Sequence, residues 1–191
     1  MAEFLTLNDF RFTGKIALVR ADLNVPMKEG RVADTARLDA LLPTLKDLAQ
    51  NGARVVLLSH FGRPDGVHEP KYSLQPVAAE LAHLWGQPVA FASDCIGAPA
   101  KEAIAKLQNG QILVLENTRF HAGEEANDPA FAEQLASLGD IYVNDAFSCA
   151  HRAHASTAGI AALIPSCAGR LMQAELEALN KALGAPERPV G

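Results

Sequence analysis

Short runs built wholly from apolar residues most constrain what this chain can fold into. They are Ile16-Ala17-Leu18-Val19, Val55-Val56-Leu57-Leu58, Ile112-Leu113-Val114-Leu115 and Ile141-Tyr142-Val143, with a weaker one at Val89-Ala90-Phe91. Each is too short for a helix and too continuously apolar for a strand with one wet face. They read as strands buried on both faces, the habit of a parallel sheet covered by helices. Between them the apolar spacing changes to the helical period. Leu38, Leu41, Leu42, Leu45 and Leu48 form one stripe, and Leu74, Val77, Ala78, Leu81 and Leu84 a second. Ala100, Ala103, Ile104 and Leu107 form a third, and Phe131, Leu135 and Leu138 a fourth. Ser73 and Asp128-Pro129 mark helix starts, and Asn51-Gly52 and Asn109-Gly110 mark stops. Repeated strand-helix order implies right-handed crossovers. The fold class expected is α/β, an open three-layer αβα sandwich with a mainly parallel, Rossmann-like sheet. A last helix is predicted from about Arg170 to Leu183, with Met172, Leu176, Leu179 and Leu183 on one stripe. The Pro/Gly-rich segment 184–191 follows and looks like the entry to something further.

At 191 residues the chain is one domain, or one with an appendage, on a prior of about 150 residues per domain. Hydrophobic residues at 49% and charged residues at 20% exclude a disordered chain. A net charge of -5 argues against a nucleic-acid coat or a binder of anionic membranes. No apolar run approaches the roughly 20 residues of a membrane span, and Met1-Ala2-Glu3-Phe4 does not open a secretory signal. Cys95, Cys149 and Cys167 are scattered, with no CxxC, which suits reduced thiols and a cytoplasmic protein better than a disulfide framework.

In open α/β sheets ligands bind beyond the carboxyl ends of the strands. The residues that follow the apolar runs therefore carry the functional argument. Arg20, Asp22 and Asn24 follow the run at 16–19, and Ser59, His60, Gly62, Arg63 and Pro64 follow the run at 55–58. Glu116, Asn117 and Arg119 follow the run at 112–115. Asn144, Asp145, Phe147, His151, Arg152 and His154 follow the run at 141–143. Separate loops thus bring arginine to one rim of an acidic chain. Arg37 adds another from the first turn of a helix, where a cation opposes the helix dipole and needs an anionic reason to be there. The arginine fork suits carboxylate and phosphate, so the pattern points to a compact phosphorylated acid. Asp22 would orient the arginines or accept from a ligand hydroxyl, and Gly62 and Gly66 mark close backbone approach or a tight turn.

His151 and His154, at i and i+3, offer two metal ligands but no third, so no metal site is expected. Cys149 near His151 lacks an orienting partner for nucleophilic catalysis. A GxxxxGK[ST] loop, a GxGxxG after the first run and a GxSxG elbow are all missing.

Four ordered segments carry a family likeness. Val19-Arg20-Ala21-Asp22-Leu23-Asn24-Val25-Pro26 resembles the VRxDxNVP signature of the phosphoglycerate kinases, and Ser59-His60-Phe61-Gly62-Arg63-Pro64 resembles their SHxGRP loop. Leu115-Glu116-Asn117-Thr118-Arg119-Phe120 is similar to their LENxRF segment. Asn144-Asp145-Ala146-Phe147 with His151-Arg152-Ala153-His154-Ala155-Ser156 is similar to NDAFxxxHRxHAS. The resemblance implies the amino-terminal, 3-phosphoglycerate-binding domain of a bilobal glycolytic kinase. It implies substrate-binding roles for Asp22, Asn24, Arg37, His60, Arg63, Arg119 and Arg152, with backbone at Leu23, Phe61 and Gly62 lining the pocket. Arg37 would also reach the phosphoryl group in flight. The resemblance further implies a substrate-binding α/β domain over 1–169, then an interdomain helix and truncated linker over 170–191. ADP or ATP with Mg2+ would be bound by a second lobe not contained in this chain, so neither cofactor nor metal is expected here and the chain alone should be inactive. The partners implied are 3-phosphoglycerate and that C-terminal lobe, with no nucleic acid and no membrane, in a monomer. The competing expectation is a stand-alone module that binds a phosphorylated acid without transferring phosphate.

Overall fold

Every apolar run forms a strand, and every helical stripe forms a helix. The computed structural model describes residues 4–184. In chain order the elements are β1 (Ile16–Arg20), β2 (Met27–Lys28), β3 (Arg31–Val32), α1 (Ala36–Gln50), β4 (Arg54–Leu58), α2 (Gln75–Trp85) and β5 (Val89–Ala92). Then follow α3 (Gly97–Lys106), β6 (Ile112–Leu115), α4 (Pro129–Ala136), β7 (Ile141–Asn144), β8 (Ser166–Ala168) and α5 (Arg170–Gly184). The main sheet is six-stranded in the order β5-β6-β4-β1-β7-β8, and all its neighbours pair in parallel.

Alternation along the strands explains why the runs are apolar throughout. Ala17, Val19, Val55, Leu57, Val114 and Val143 face one core with Leu38, Leu41, Leu45 and Leu48 of α1 and Val77 and Leu81 of α2. Leu18, Val56, Leu58, Leu113, Leu115 and Tyr142 face the other with Ala100 and Ile104 of α3 and Phe131 and Leu135 of α4. Two cores on opposite faces of one sheet are the three-layer sandwich expected. The weaker apolar run became β5, an edge strand that is only partly covered.

Some expectations shift in detail. Asp128 caps α4 by accepting from the Phe131 N–H (2.8 Å), as its position before Pro129 predicts. Ser73 lies one residue before the N-cap of α2, and its Oγ accepts from the Gln75 N–H (3.2 Å). Asn51 caps α1, but α3 ends at Lys106, ahead of Asn109-Gly110. β8 and the hairpin of β2 with β3 have no counterpart among the apolar runs. The hairpin turns at Glu29 and Gly30, both with positive φ. The outer edge of β8 is covered by the chain start, where Ala168 N–H donates to the Leu5 carbonyl (2.8 Å). No helix among the described residues is long and apolar enough to cross a membrane.

α5 starts where three elements meet. Asp145, in the loop after β7, accepts from the Leu171 (2.9 Å) and Met172 (3.2 Å) N–H groups, while Thr44 of α1 accepts from the Arg170 N–H (2.8 Å). The Arg170 guanidinium pairs with Asp47 of α1. Met172 is buried and Leu176 half-buried, but Leu179 is 42% exposed, so the predicted stripe packs at its start and opens outward. The side chain of Leu183, the last member of that stripe, and segment 185–191 lie outside the described residues.

Candidate functional site

Parallel pairing in the order β6-β4-β1-β7 sets the loops after these strands side by side along one edge. The chain runs outward from β1 to one side of the sheet and later enters β7 on the other, so the edge above β1 and β7 is a topological switch point. Buried polar side chains tie these loops to one another. Asn117 Oδ1 accepts from the Phe61 N–H (3.1 Å), and its Nδ2 donates to the Phe61 (2.7 Å) and Tyr72 (3.0 Å) carbonyls. Ser59 Oγ accepts from the Leu23 N–H (3.0 Å), and Asn24 Oδ1 accepts from the Gly62 N–H (2.9 Å). The N–H groups of Leu23, Phe61 and Gly62 are therefore engaged within the protein, and these residues shape the rim. Glu116 accepts from the Ser73 hydroxyl (2.7 Å) and the Leu74 N–H (2.8 Å), which anchors the start of α2 to the same framework.

Charged side chains stand on this framework. Asp22 accepts from Arg37 Nη1 (2.5 Å) and from Ser148 Oγ (2.5 Å). Burial pushes its pKa up, but Ser148 and Arg37 outweigh that and hold the carboxyl below its ordinary range. Arg119 is sealed, its side chain 5% exposed. It donates from Nη1 to the Gly62 carbonyl (2.8 Å) and pairs through Nη2 with Glu125 (3.0 Å), while its buried Nε has no partner among the described residues. Burial lowers its pKa, opposed by Glu125, and a guanidinium stays charged throughout. Arg152 is half-buried, with Nε 3.4 Å from His151 Nε2, and its charge reaches both His60 and Arg119. Arg63, on the same loop as His60, is exposed and makes no hydrogen bond or ion pair with a described residue.

His60 lies beneath these charges. Burial comes first, and the Arg20, Arg119 and Arg152 charges add to it, pushing its pKa down to about 3, so the imidazole is neutral. Arg20 is a correction to the rim pattern. It is not a loop residue but the last residue of β1, 1% exposed and turned into the interior on the Leu18 side of the sheet. There its Nη2 meets His60 Nδ1 at 2.9 Å.

Two groups of side chains among the described residues bring metal-ligating atoms within 4.8 Å of one another, Asp22-His60-Cys149 and Asp94-Cys95-His121. In the first, His60 Nδ1 is already engaged by Arg20 and several arginines raise the cost of a cation. In the second, Asp94 Oδ1 accepts from the Cys95 N–H (2.7 Å) and lies 2.7 Å from His121 Nε2, and burial pushes the Cys95 thiol well up. His151 and His154 belong to neither group. A cleft of about 310 Å3 opens beside Asp22 and Arg37, lined also by Leu41, Phe147, Ser148 and Leu171.

The family model described as Phosphoglycerate kinase matches residues 7–191. The chain belongs to the phosphoglycerate kinase family. Curated relatives named phosphoglycerate kinase include one from Rhodospirillum centenum, 66% identical over 98% of this chain and 47% of its own length. Another, from Azorhizobium caulinodans, is 60% identical over 100% of this chain and 48% of its own length. The chain thus spans about half the length of the curated relatives it matches. Among solved structures, phosphoglycerate kinase from Coxiella burnetii superposes with a TM-score of 0.89 at 40% identity, covering 98% of this chain and 47% of that one. The enzyme from Pyrococcus horikoshii gives 0.88 at 37%, covering 97% and 47%.

In this member of the family the structure adds residues that the rim pattern did not single out. Ser148 reaches Asp22 from the loop after β7, and Glu124 and Ser156 stand buried behind Arg20. Ser148 sits in the unpatterned gap of its motif, and Glu124 is one of two adjacent glutamates, so only packing distinguishes them.

Proposed function

We propose that this chain is the substrate-binding half of a phosphoglycerate kinase, holding 3-phosphoglycerate or 1,3-bisphosphoglycerate for reversible phosphoryl transfer with ADP in glycolysis. The observation that carries the reading is the convergence of Arg37, His60, Arg119 and Arg152 on one sheet edge in a chain of net charge -5. The Arg119 Nε, without a partner among the described residues, supports it further, because a buried donor without a partner is costly unless a ligand supplies the acceptor.

On this reading Arg119, Arg152 and Arg63 hold the anionic groups, and Asp22 and Asn24 accept from or orient the hydroxyl. Arg37 is half-exposed and tethered only through Asp22 among the described residues. That single tether is loose enough for it to follow the travelling phosphoryl group, the role the family resemblance implies for it. Such transfer is mostly positioning and charge stabilisation, and the substrate carboxylate is itself the acceptor in the reverse direction, so no strong general base is required. The nucleotide and Mg2+ are assigned to a second lobe. Mg2+ favours oxygen ligands, and the Asp22-His60-Cys149 group under its arginines does not suit it. We assign residues 1–169 to the binding unit and 170–191 to the connection, with the exposed Leu179 of α5 available for the partner lobe. The whole protein would act as a cytoplasmic monomer.

Calorimetric titration of this chain with 3-phosphoglycerate, beside a coupled assay with ATP and Mg2+, tests the reading. The expected result is binding without turnover. No heat of binding at millimolar ligand overturns the substrate-binding assignment, and turnover by this chain overturns the assignment of the nucleotide to another lobe.

A further inference from the structure

Behind His60 runs a chain of buried side chains that the proposed substrate contacts do not use. Glu124 is 0% exposed. Its Oε2 accepts from the Ser156 N–H (3.0 Å) and its Oε1 from the Ser156 hydroxyl (2.5 Å). Ser156 belongs to the π-helical turn Ala155–Gly159, and its carbonyl accepts from the Tyr142 hydroxyl (2.9 Å). The Ser156 proton is committed to Glu124, so its Oγ is left to accept from Arg20 Nε (2.9 Å). Arg20 Nη1 bonds the Ala21 carbonyl, and Nη2 lies 2.9 Å from His60 Nδ1. A guanidinium has only donors. His60 Nδ1 must therefore accept and carries no proton. The imidazole proton resides on Nε2, which has no hydrogen-bond partner among the described residues.

We infer that Glu124, Ser156 and Arg20 form a positioning chain that locks His60 as the neutral Nε2–H tautomer and presents that N–H as a fixed donor to an anionic ligand oxygen. The nature of the ligand rests on the reading above; the tautomer does not. The opposite tautomer would aim a lone pair at the ligand oxygen. The charged groups facing His60 are Arg20 of β1, Asp22 after β1, Arg119 after β6 and Arg152 after β7. Their positive excess, with burial, keeps the imidazole neutral, so the donor is the same at any pH near neutrality. The buried Glu124 carboxylate is in turn compensated, through Ser156, by the buried Arg20 charge, as buried charges require.

The direct test uses this chain labelled with 15N at histidine, without ligand. Long-range proton–nitrogen correlation reads the tautomer, and H60Q assigns the His60 signals among the six histidines. The expected result is one neutral Nε2–H form from about pH 8 to about pH 5. An Nδ1–H form, or a midpoint near the ordinary histidine value, overturns the proposal, and this wild-type measurement does not depend on any variant folding. Arg20→Lys keeps a donor and should keep the tautomer. Ser156→Ala, checked for folding by circular dichroism, should release Arg20, yield both tautomers and weaken 3-phosphoglycerate binding roughly tenfold. An unchanged His60 spectrum in Ser156→Ala removes Glu124 and Ser156 from the chain. A locked Nε2–H form with no 3-phosphoglycerate binding supports the positioning and sinks the ligand assignment, so the two failures are distinguishable.

Discussion

Arg37 Nη1 lies 2.5 Å from Asp22 Oδ2 and joins the first turn of α1 to the loop after β1. The arginine proposed to track the phosphoryl group thus pairs with a carboxylate at the mouth of a cleft. On the proposed function an incoming anion would compete with Asp22 for it, which would offset part of the attraction. Arg119 has no such competition at its Nε, which lies buried and without a partner among the described residues.

The two arginines should therefore differ in ground-state binding. Arg119→Ala should cost roughly 2–5 kcal/mol of 3-phosphoglycerate affinity, because the charged partner is left in a desolvated site. Arg37→Ala, with its side chain 48% exposed, should cost about 1 kcal/mol or less. Calorimetry on both variants checks the ranking, and a larger loss at Arg37 reverses it.

Binding should weaken as salt rises. On the proposed function the ligand would be held by charge on the partly exposed Arg37, Arg63 and Arg152 as well as the buried Arg119, and a Debye length of about 10 Å at 0.1 M would screen the exposed members most. Titrations across an ionic-strength series in the wild type and in Arg63→Ala should show a shallower salt slope in the variant. Equal slopes would remove Arg63 from the site.

Asn117 should matter for stability more than its position in a loop suggests. Asn117→Ala strands the Phe61 N–H and the Phe61 and Tyr72 carbonyls, so a loss of about 3 kcal/mol is expected. Urea unfolding measures it. A loss under about 1 kcal/mol would mean that water replaces the amide freely.

Stability should fall on mild acidification, and His60 supplies the reason. Its folded pKa, about 3, lies below the unfolded value of 6.5. Below pH 6.5 the unfolded chain gains a proton that the folded chain refuses, so stability present above 6.5 is lost as pH falls toward 3. The slope from one such group approaches about 1.4 kcal/mol per pH unit. Burial also lowers the pKa of His154, which adds in the same direction. Urea midpoints from about pH 8 to about pH 5 should therefore fall less steeply in H60Q than in the wild type.

Gly62 is a position where alanine should be refused. Its φ is +61, and an added Cβ would strike the Tyr72 ring. Gly62→Ala should destabilise by at least about 1 kcal/mol from backbone conformation alone and displace the loop that carries His60 and Arg63. An unshifted thermal midpoint would show that the loop relaxes without cost.

The central strands were legible because both of their faces are buried, which leaves no polar alternation to confuse the reading. β8, only Ser166-Cys167-Ala168, had no such signal. It exists because β7 offers a free edge on one side and the Leu5 backbone closes the other. The β2–β3 hairpin is two residues per strand, too short for any period to register. The gathering of Asp22, His60, Arg119 and Arg152 on one edge was legible from parallel topology alone, since every loop after a parallel strand leaves from the same side.

Arg20 marks where that reasoning stops. An α/β sandwich, the edge that carries the candidate site and the charge type gathered there all follow from the residue pattern, because burial of apolar runs and parallel crossovers leave few other arrangements. The same pattern could not say whether the residue after Val19 begins a loop or ends a strand. The tertiary structure decided that β1 continues one residue further, and strand alternation then turned Arg20 inward, onto the Leu18 face. On that face Ser156 and Glu124, distant in sequence, supply the acceptor and the counter-charge without which a buried guanidinium would not be stable there.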